Sequence, residues 1–124
     1  MDTKKKILVV EDDKFISLAY KDGMTRAGFE VSMAMDGVEA LEKMRAEKPD
    51  IVLLDLIMPT KGGFEVLEEM HNDAELKTIP VIILSNLGQD SDTQKCKELG
   101  AVDYIIKSNF KMQEVIEKVK SHLS

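Results

Sequence analysis

Ile51-Val52-Leu53-Leu54-Asp55 sets four apolar residues in a row before a carboxylate. A strand with one face in water alternates polar and apolar residues. One covered on both faces reads instead as a continuous apolar run. Three more stretches share the pattern: Ile7-Leu8-Val9-Val10, Val81-Ile82-Ile83-Leu84, and Val102 through Ile106 around Tyr104. Glu30-Val31-Ser32-Met33-Ala34 is weaker and mixed, as an edge strand would be.

Segments of helical period lie between these runs. Ile16, Ala19, Tyr20, Gly23, Met24 and Ala27 predict one apolar helix face, closed by Gly28. Val38, Leu41 and Met44 mark a second helix, opened by the turn signal Asp36-Gly37 and ended before Pro49. Phe64, Leu67 and Met70 mark a third, and a fourth runs from near Asp90 to Leu99 before Gly100. Met112, Val115, Ile116, Val119 and Leu123 form the stripe of a fifth. Asp13 and Asp36 read as N-caps, the positions Asp favours. Five successive βα units predict an α/β fold with a parallel sheet and helices on both faces, in one domain over residues 1–124.

Composition narrows the function. Among 124 residues, 17 are basic and 23 acidic, a net charge of −6, and 44% are apolar. Phosphate-backbone binding relies on clustered Lys and Arg, so no nucleic-acid partner is expected. Apolar runs of about four residues fall far short of the ~20 that span a bilayer, so no membrane partner is expected either. The opening Met1-Asp2-Thr3-Lys4-Lys5-Lys6 carries no apolar stretch of signal-peptide length, and the single cysteine, Cys96, excludes an intrachain disulfide. A cytoplasmic location is the expectation.

The chemistry collects where the apolar runs end. Glu11, Asp12 and Asp13 follow Val10; Asp55 follows Leu54; Ser85 follows Leu84; Lys107 follows Ile106. In an open parallel α/β sheet, ligands bind beyond the carboxyl ends of the strands. Two carboxylates ~4 Å apart repel by roughly 4 kcal/mol at an effective dielectric near 20, so a cluster of them calls for a cation. An oxygen-only, anionic donor set suits Mg²⁺. His71 and His122 fall on predicted helices away from the strand ends and read as ordinary surface residues. A carboxylate beside Mg²⁺ is a nucleophile toward phosphorus, giving an acyl phosphate. Phosphoryl transfer needs mainly positioning and charge neutralisation, which Mg²⁺, Lys107 and the Ser85 hydroxyl supply between them.

These residues, in this order, resemble the receiver domain of two-component response regulators, chemotaxis-type single-domain receivers in particular. Ile7 to Asp13 is similar to the family's first strand and acidic pair. Asp55-Leu56-Ile57-Met58-Pro59-Thr60-Lys61-Gly62-Gly63 is similar to its D-x-x-M-P-x-x-x-G stretch, and Gly100 to Lys107 to the run that ends in its lysine. The resemblance implies a flavodoxin-like, doubly wound five-stranded sheet of order 2-1-3-4-5. It makes Asp55 the phosphoryl acceptor, Asp12 a direct Mg²⁺ ligand, Glu11 a ligand through water, and the Ile57 carbonyl a further ligand. Ser85 and Tyr104 become a coupled switch pair; for Tyr104 a half-buried edge-strand aromatic is an equal reading. The implied partners are a histidine kinase or histidine phosphotransfer protein, and a downstream protein on the face of the fourth helix, fifth strand and fifth helix.

The sequence also departs from the family. Ser108 stands where proline usually follows the lysine, and Ser108-Asn109-Phe110 is one residue longer than the common Lys-Pro-Phe arrangement. Asn86 is larger than the usual Ala or Gly. Ile57 and Leu87 are apolar at positions the family uses to tune hydrolysis of the phosphoaspartate, so slow self-dephosphorylation is expected. The short tail past Leu123 favours a free-standing receiver. Two other classes remain: a Mg²⁺-dependent phosphatase working through an aspartyl phosphate, and a pseudo-receiver that only binds partners. The first needs a second acid where Ile57 stands. The second should have lost at least one of Asp12, Asp55, Ser85 and Lys107. The expected protein is a switch that catalyses its own phosphorylation and dephosphorylation, not a turnover enzyme.

Overall fold

The structure, a computed structural model, describes residues 4–58, 60–86 and 90–123. Five strands, β1 (Lys6–Val10), β2 (Glu30–Ala34), β3 (Ile51–Leu54), β4 (Val81–Ser85) and β5 (Asp103–Ile106), alternate with five helices. The helices are α1 (Lys14–Arg26), α2 (Gly37–Glu47), α3 (Gly63–His71), α4 (Asp90–Glu98) and α5 (Met112–Leu123). All strand pairs are parallel, in the order β2-β1-β3-β4-β5.

Alternate residues of each apolar run go to opposite faces, which is why no polar break is tolerated. Leu8, Val10, Val52, Leu54, Val81 and Ile83 pack with Leu41, Met44, Leu67 and Met70 of α2 and α3. Ile7, Val9, Ile51, Leu53, Ile82, Leu84 and Ile105 pack with Tyr20, Met24, Val115 and Val119 of α1 and α5. The chain therefore has two half-cores divided by one sheet. β2, at the edge, keeps only Ala34 fully buried.

The caps form as the residue types dictate. The Asp13 carboxylate accepts from the Phe15 and Ile16 amides at 2.9 and 3.1 Å, and Asp36 accepts from Glu39 at 2.9 Å. Three sequence expectations are corrected. On α1 Tyr20 and Met24 are buried as the pattern predicts, but Ser17 joins them and Ala19, at the margin of the stripe, is exposed. On α2 Val38 is exposed and Ala40 takes the core position. Val102 lies outside β5, is exposed, and donates its amide to the Val81 carbonyl.

His122 is more than a surface residue. Its Nε2 lies 3.0 Å from Asp103 Oδ2, and Lys118 Nζ lies 3.3 Å from the same oxygen, so two α5 side chains grip the first residue of β5. Burial alone would raise the Asp103 pKa. The bonds from His122, the Tyr104 amide and Lys118 outweigh that and hold it below the ordinary carboxylate range. A carboxyl with a lowered folded-state pKa stabilises the fold above its unfolded pKa and loses that contribution as pH falls through the folded value. Asp103→Asn should therefore cost about 1–2 kcal/mol at pH 7. In urea denaturation across pH, the gap to wild type should close at pH values below the ordinary carboxylate pKa; a gap constant from pH 7 to 2 would contradict the ion cluster.

Candidate functional site

The sheet register brings the strand ends level. Val10 pairs with Leu54, Leu54 with Ile83, and Ser85 with Ile106. The ladder continues one step further, the Asp55 amide donating to the Val10 carbonyl at 3.1 Å and the Glu11 amide to the Ala34 carbonyl at 3.0 Å. Glu11, Asp55, Ser85 and Lys107 therefore all emerge at the carboxyl edge, where the crossovers from β1 and β3 leave for opposite faces of the sheet.

There they line one cleft of about 390 Å³ together with Asp12, Asp13, Ile57 and Asn86. Glu11, Asp12 and Asp55 each offer an oxygen within 4.8 Å of the others. Glu11, Asp55 and Ser85 are buried, while Asp12 is exposed at the mouth. Lys107 Nζ contacts Glu11 Oε2 and sits 3.2 Å from Asp55 Oδ2. One ammonium thus answers three carboxylates. Burial raises the Glu11 pKa, against the pull of Lys107 and of the Asp13 amide, which donates to Glu11 Oε1 at 3.1 Å. Burial works against the Lys107 charge as well, but the Glu11 bond and the Asp55 charge prevail and its pKa is raised.

The donor set fits a hard divalent cation. It is all oxygen, its charge is only partly offset, and one ligand faces solvent, leaving room for waters. At separations like these two unit charges repel by roughly 3–4 kcal/mol at an effective dielectric near 20. Neutralising Asp12 should relieve that repulsion in the metal-free protein. Asp12→Asn in EDTA should melt about 2–5 °C above wild type, and Mg²⁺ should raise the melting temperature of wild type but not of the variant. A variant that melts lower than wild type in EDTA would contradict the reading of the pocket as electrostatically strained.

The loop after β3 completes the site. Ile57 is 62% exposed and its amide points to Asp55 Oδ1 at a long 3.4 Å. Thr60 holds a left-handed φ of 66°, unusual for a β-branched residue. Gly63 packs so closely on the end of β3 that a Cβ there would stand 2.7 Å from Leu56 Cα and closer still to the Asp55 carbonyl. Pro59 and Leu87 lie outside the described residues. The peptide bonds of the described residues are all trans, including those of Ser108 and Asn109, which form a 3-10 turn with Lys107.

Tyr104 is not in this cleft. It is half-buried, packs against the α2–α3 half-core, and has its phenol pushed up to about 12 by burial. It faces a separate groove of about 290 Å³ between α4 and β5, shared with Cys96, Ala101 and Val102. Cys96 is buried and its thiol is pushed up to about 11, as an inert core residue would be. Two neighbours of the site were not foreseen. Tyr20 of α1 is buried near enough to feel the charges of Lys107, Glu11 and Asp55, and burial raises its pKa. Gly37 of α2 touches the loop after β3. In the sequence Tyr20 read as core and Gly37 as a turn.

A doubly wound parallel sheet with a buried aspartate, a lysine and an acidic pair converging at its carboxyl edge defines a phosphoacceptor signalling module rather than a metabolic enzyme. Comparison with known proteins agrees: residues 7–120 match the family model of the response regulator receiver domain, and the chain belongs to that family. It is 37% identical over 119 residues to the alkaline phosphatase synthesis transcriptional regulatory protein PhoP of Bacillus subtilis (96% of this chain, 48% of that protein). It is 35% identical over 123 residues to the probable transcriptional regulator ycf27 of Guillardia theta (99% and 47%). The chain thus spans about half the length of the curated relatives it matches. Its fold superimposes on a CheY-like response regulator receiver domain protein of Methanospirillum hungatei with a TM-score of 0.90, at 28% identity, covering 98% of this chain and 94% of the other. No helix among the described residues is long and apolar enough to cross a membrane.

Proposed function

We propose that the chain is a cytoplasmic phospho-accepting switch that takes a phosphoryl group onto Asp55 from a histidine kinase or histidine phosphotransfer protein. The observation that carries this reading is the convergence of Asp55, Lys107 and the Glu11–Asp12 pair in one cleft. Asp12, Asp55 and the Ile57 carbonyl would hold Mg²⁺ directly, and Glu11 through water. Bound there, Mg²⁺ supplies charge neutralisation for the phosphoryl oxygens and relieves the carboxylate repulsion.

The chain's own residues do the rest. An Asp55 oxygen attacks phosphorus in line as the bond from phosphorus to the donor's imidazole nitrogen breaks, and the imidazole takes up a proton from solvent. Lys107, already beside Asp55, pairs with a phosphoryl oxygen, and the Ser85 hydroxyl donates to another. Tyr104 follows Ser85, its ring turning into the space beside Cys96, and the face of α4, β5 and α5 presents the changed surface to a downstream protein. Such a protein catalyses its own phosphorylation and dephosphorylation without turning over a separate substrate. Ile57 supports this over the phosphatase, which needs an acid there. The intact set of Asp12, Asp55, Ser85 and Lys107 supports it over a pseudo-receiver.

Mass spectrometry after incubation with acetyl phosphate and Mg²⁺ tests the reading. Wild type should gain one phosphoryl group, Asp55→Asn none, and Lys107→Ala one more slowly; a gain in Asp55→Asn would place the acceptor elsewhere. The phosphorylated form should be long-lived, since the apolar Ile57 side chain cannot orient an attacking water. Ile57→Asn should shorten its lifetime once acetyl phosphate is removed, and an unchanged lifetime would rule out Ile57 as the brake.

A further inference from the structure

Gly37 begins α2, far from Asp55 in sequence, yet its surroundings tie it to the loop that leaves Asp55. Its amide donates to the Lys61 carbonyl at 3.0 Å. A Cβ at Gly37 would meet the Lys61 carbonyl oxygen at 2.5 Å, Lys61 Cγ at 2.8 Å and Val66 Cγ2 at 2.7 Å. Two of these atoms belong to the loop and one to α3. A backbone oxygen cannot swing aside as a side chain tip can, so a larger residue would push the loop itself.

The loop has little freedom to absorb such a push. At its start, Gly63 lies against the Asp55 and Leu56 backbone, and its amide donates to the Leu56 carbonyl at 3.0 Å. At its far end, the Lys61 side chain is held by Glu69 of α3. Between the two, Thr60 is already in the left-handed region, a strained conformation that persists only when the surroundings enforce it. Ile57 lies between these anchors, at the mouth of the acidic cleft.

We propose that Gly37 is a positioning residue for the reaction at Asp55: by accepting the Lys61 backbone in a seat where no side chain fits, it sets where the Ile57 segment lies over the acidic cleft. The inference rests on the reading of Asp55 as the acceptor and of the Ile57 carbonyl as a ligand. Gly37 touches neither phosphoryl donor nor cation. It acts through the loop, and α2 thereby becomes part of the machinery without contributing a reacting group.

The test compares Gly37→Ala with Ala40→Gly, a variant that loosens the same helix at a buried position without adding bulk against the loop. Three readouts are taken: the Mg²⁺ dissociation constant, the rate of phosphorylation by acetyl phosphate, and the amide resonances of Ile57 and Met58 in the metal-free protein. Gly37→Ala should weaken Mg²⁺ binding, slow phosphorylation on the order of 10- to 100-fold, and move both resonances. Ala40→Gly should lower the melting temperature while leaving all three close to wild type. A third variant, Thr60→Pro, pulls the loop from the same seat at an exposed position, since proline cannot adopt a φ of 66°. It should reproduce the losses of Gly37→Ala and decides the matter should that variant not fold. Wild-type Mg²⁺ affinity in Gly37→Ala or in Thr60→Pro, or equal losses in Gly37→Ala and Ala40→Gly, would overturn the proposal. Failure of the acceptor assignment would show separately, as phosphorylation of Asp55→Asn with Mg²⁺ binding still sensitive to Gly37.

Discussion

Glu11, Asp12 and Asp55 repel one another, and the chain must oppose that repulsion to fold at all. Three carboxylates share a cleft at the carboxyl edge of the sheet, with one lysine against two of them. No folded chain gathers like charges at this spacing without something that holds them there. What holds them is the sheet: two half-cores clamp β1 and β3 side by side, and the register leaves Glu11 and Asp55 adjacent. The stability of the apolar interior is in effect spent on holding an electrostatically unfavourable acidic cluster together.

Lys107 shows how the pieces depend on one another. It reaches the cleft from β5, three strands away from β1, and its charge is kept in a half-buried place by the same carboxylates it stabilises. Addition of a phosphoryl group to Asp55 would change the charge that Lys107 answers, and the hydroxyl of Ser85 lies on the strand between. Tyr104 stands on β5 opposite Ile83, two positions before the pairing of Ser85 with Ile106, beside unfilled space under α4. The path from the acidic cleft to the α4–β5 surface is thus two neighbouring strands wide.

Much of this was legible in the sequence, and the reasons are physical. Apolar runs such as Ile51 to Leu54 have no reading other than burial on both faces once helices of the right length alternate with them. The strand-end rule then places Asp55, Ser85 and Lys107 at one edge of the sheet. Strand order came from family resemblance rather than from the residues, because nothing in a βαβ unit states on which side the next strand is laid. Ala19 and Val38 misled because helical period fixes the angle between side chains but not the direction of the core. The grip of Lys118 and His122 on Asp103 and the seat at Gly37 were invisible because both depend on how separate elements dock. A glycine that reads as a turn in one dimension is a contact in three.

Titration of Mg²⁺ into the metal-free protein, followed through backbone amide resonances, reads the cleft itself. If one anionic cleft gathers the strand ends, the amides of Asp12, Asp55, Ile57, Ser85 and Lys107 should move together along a single binding curve. Amides that respond with separate affinities, or shifts scattered over other faces of the sheet, would contradict it.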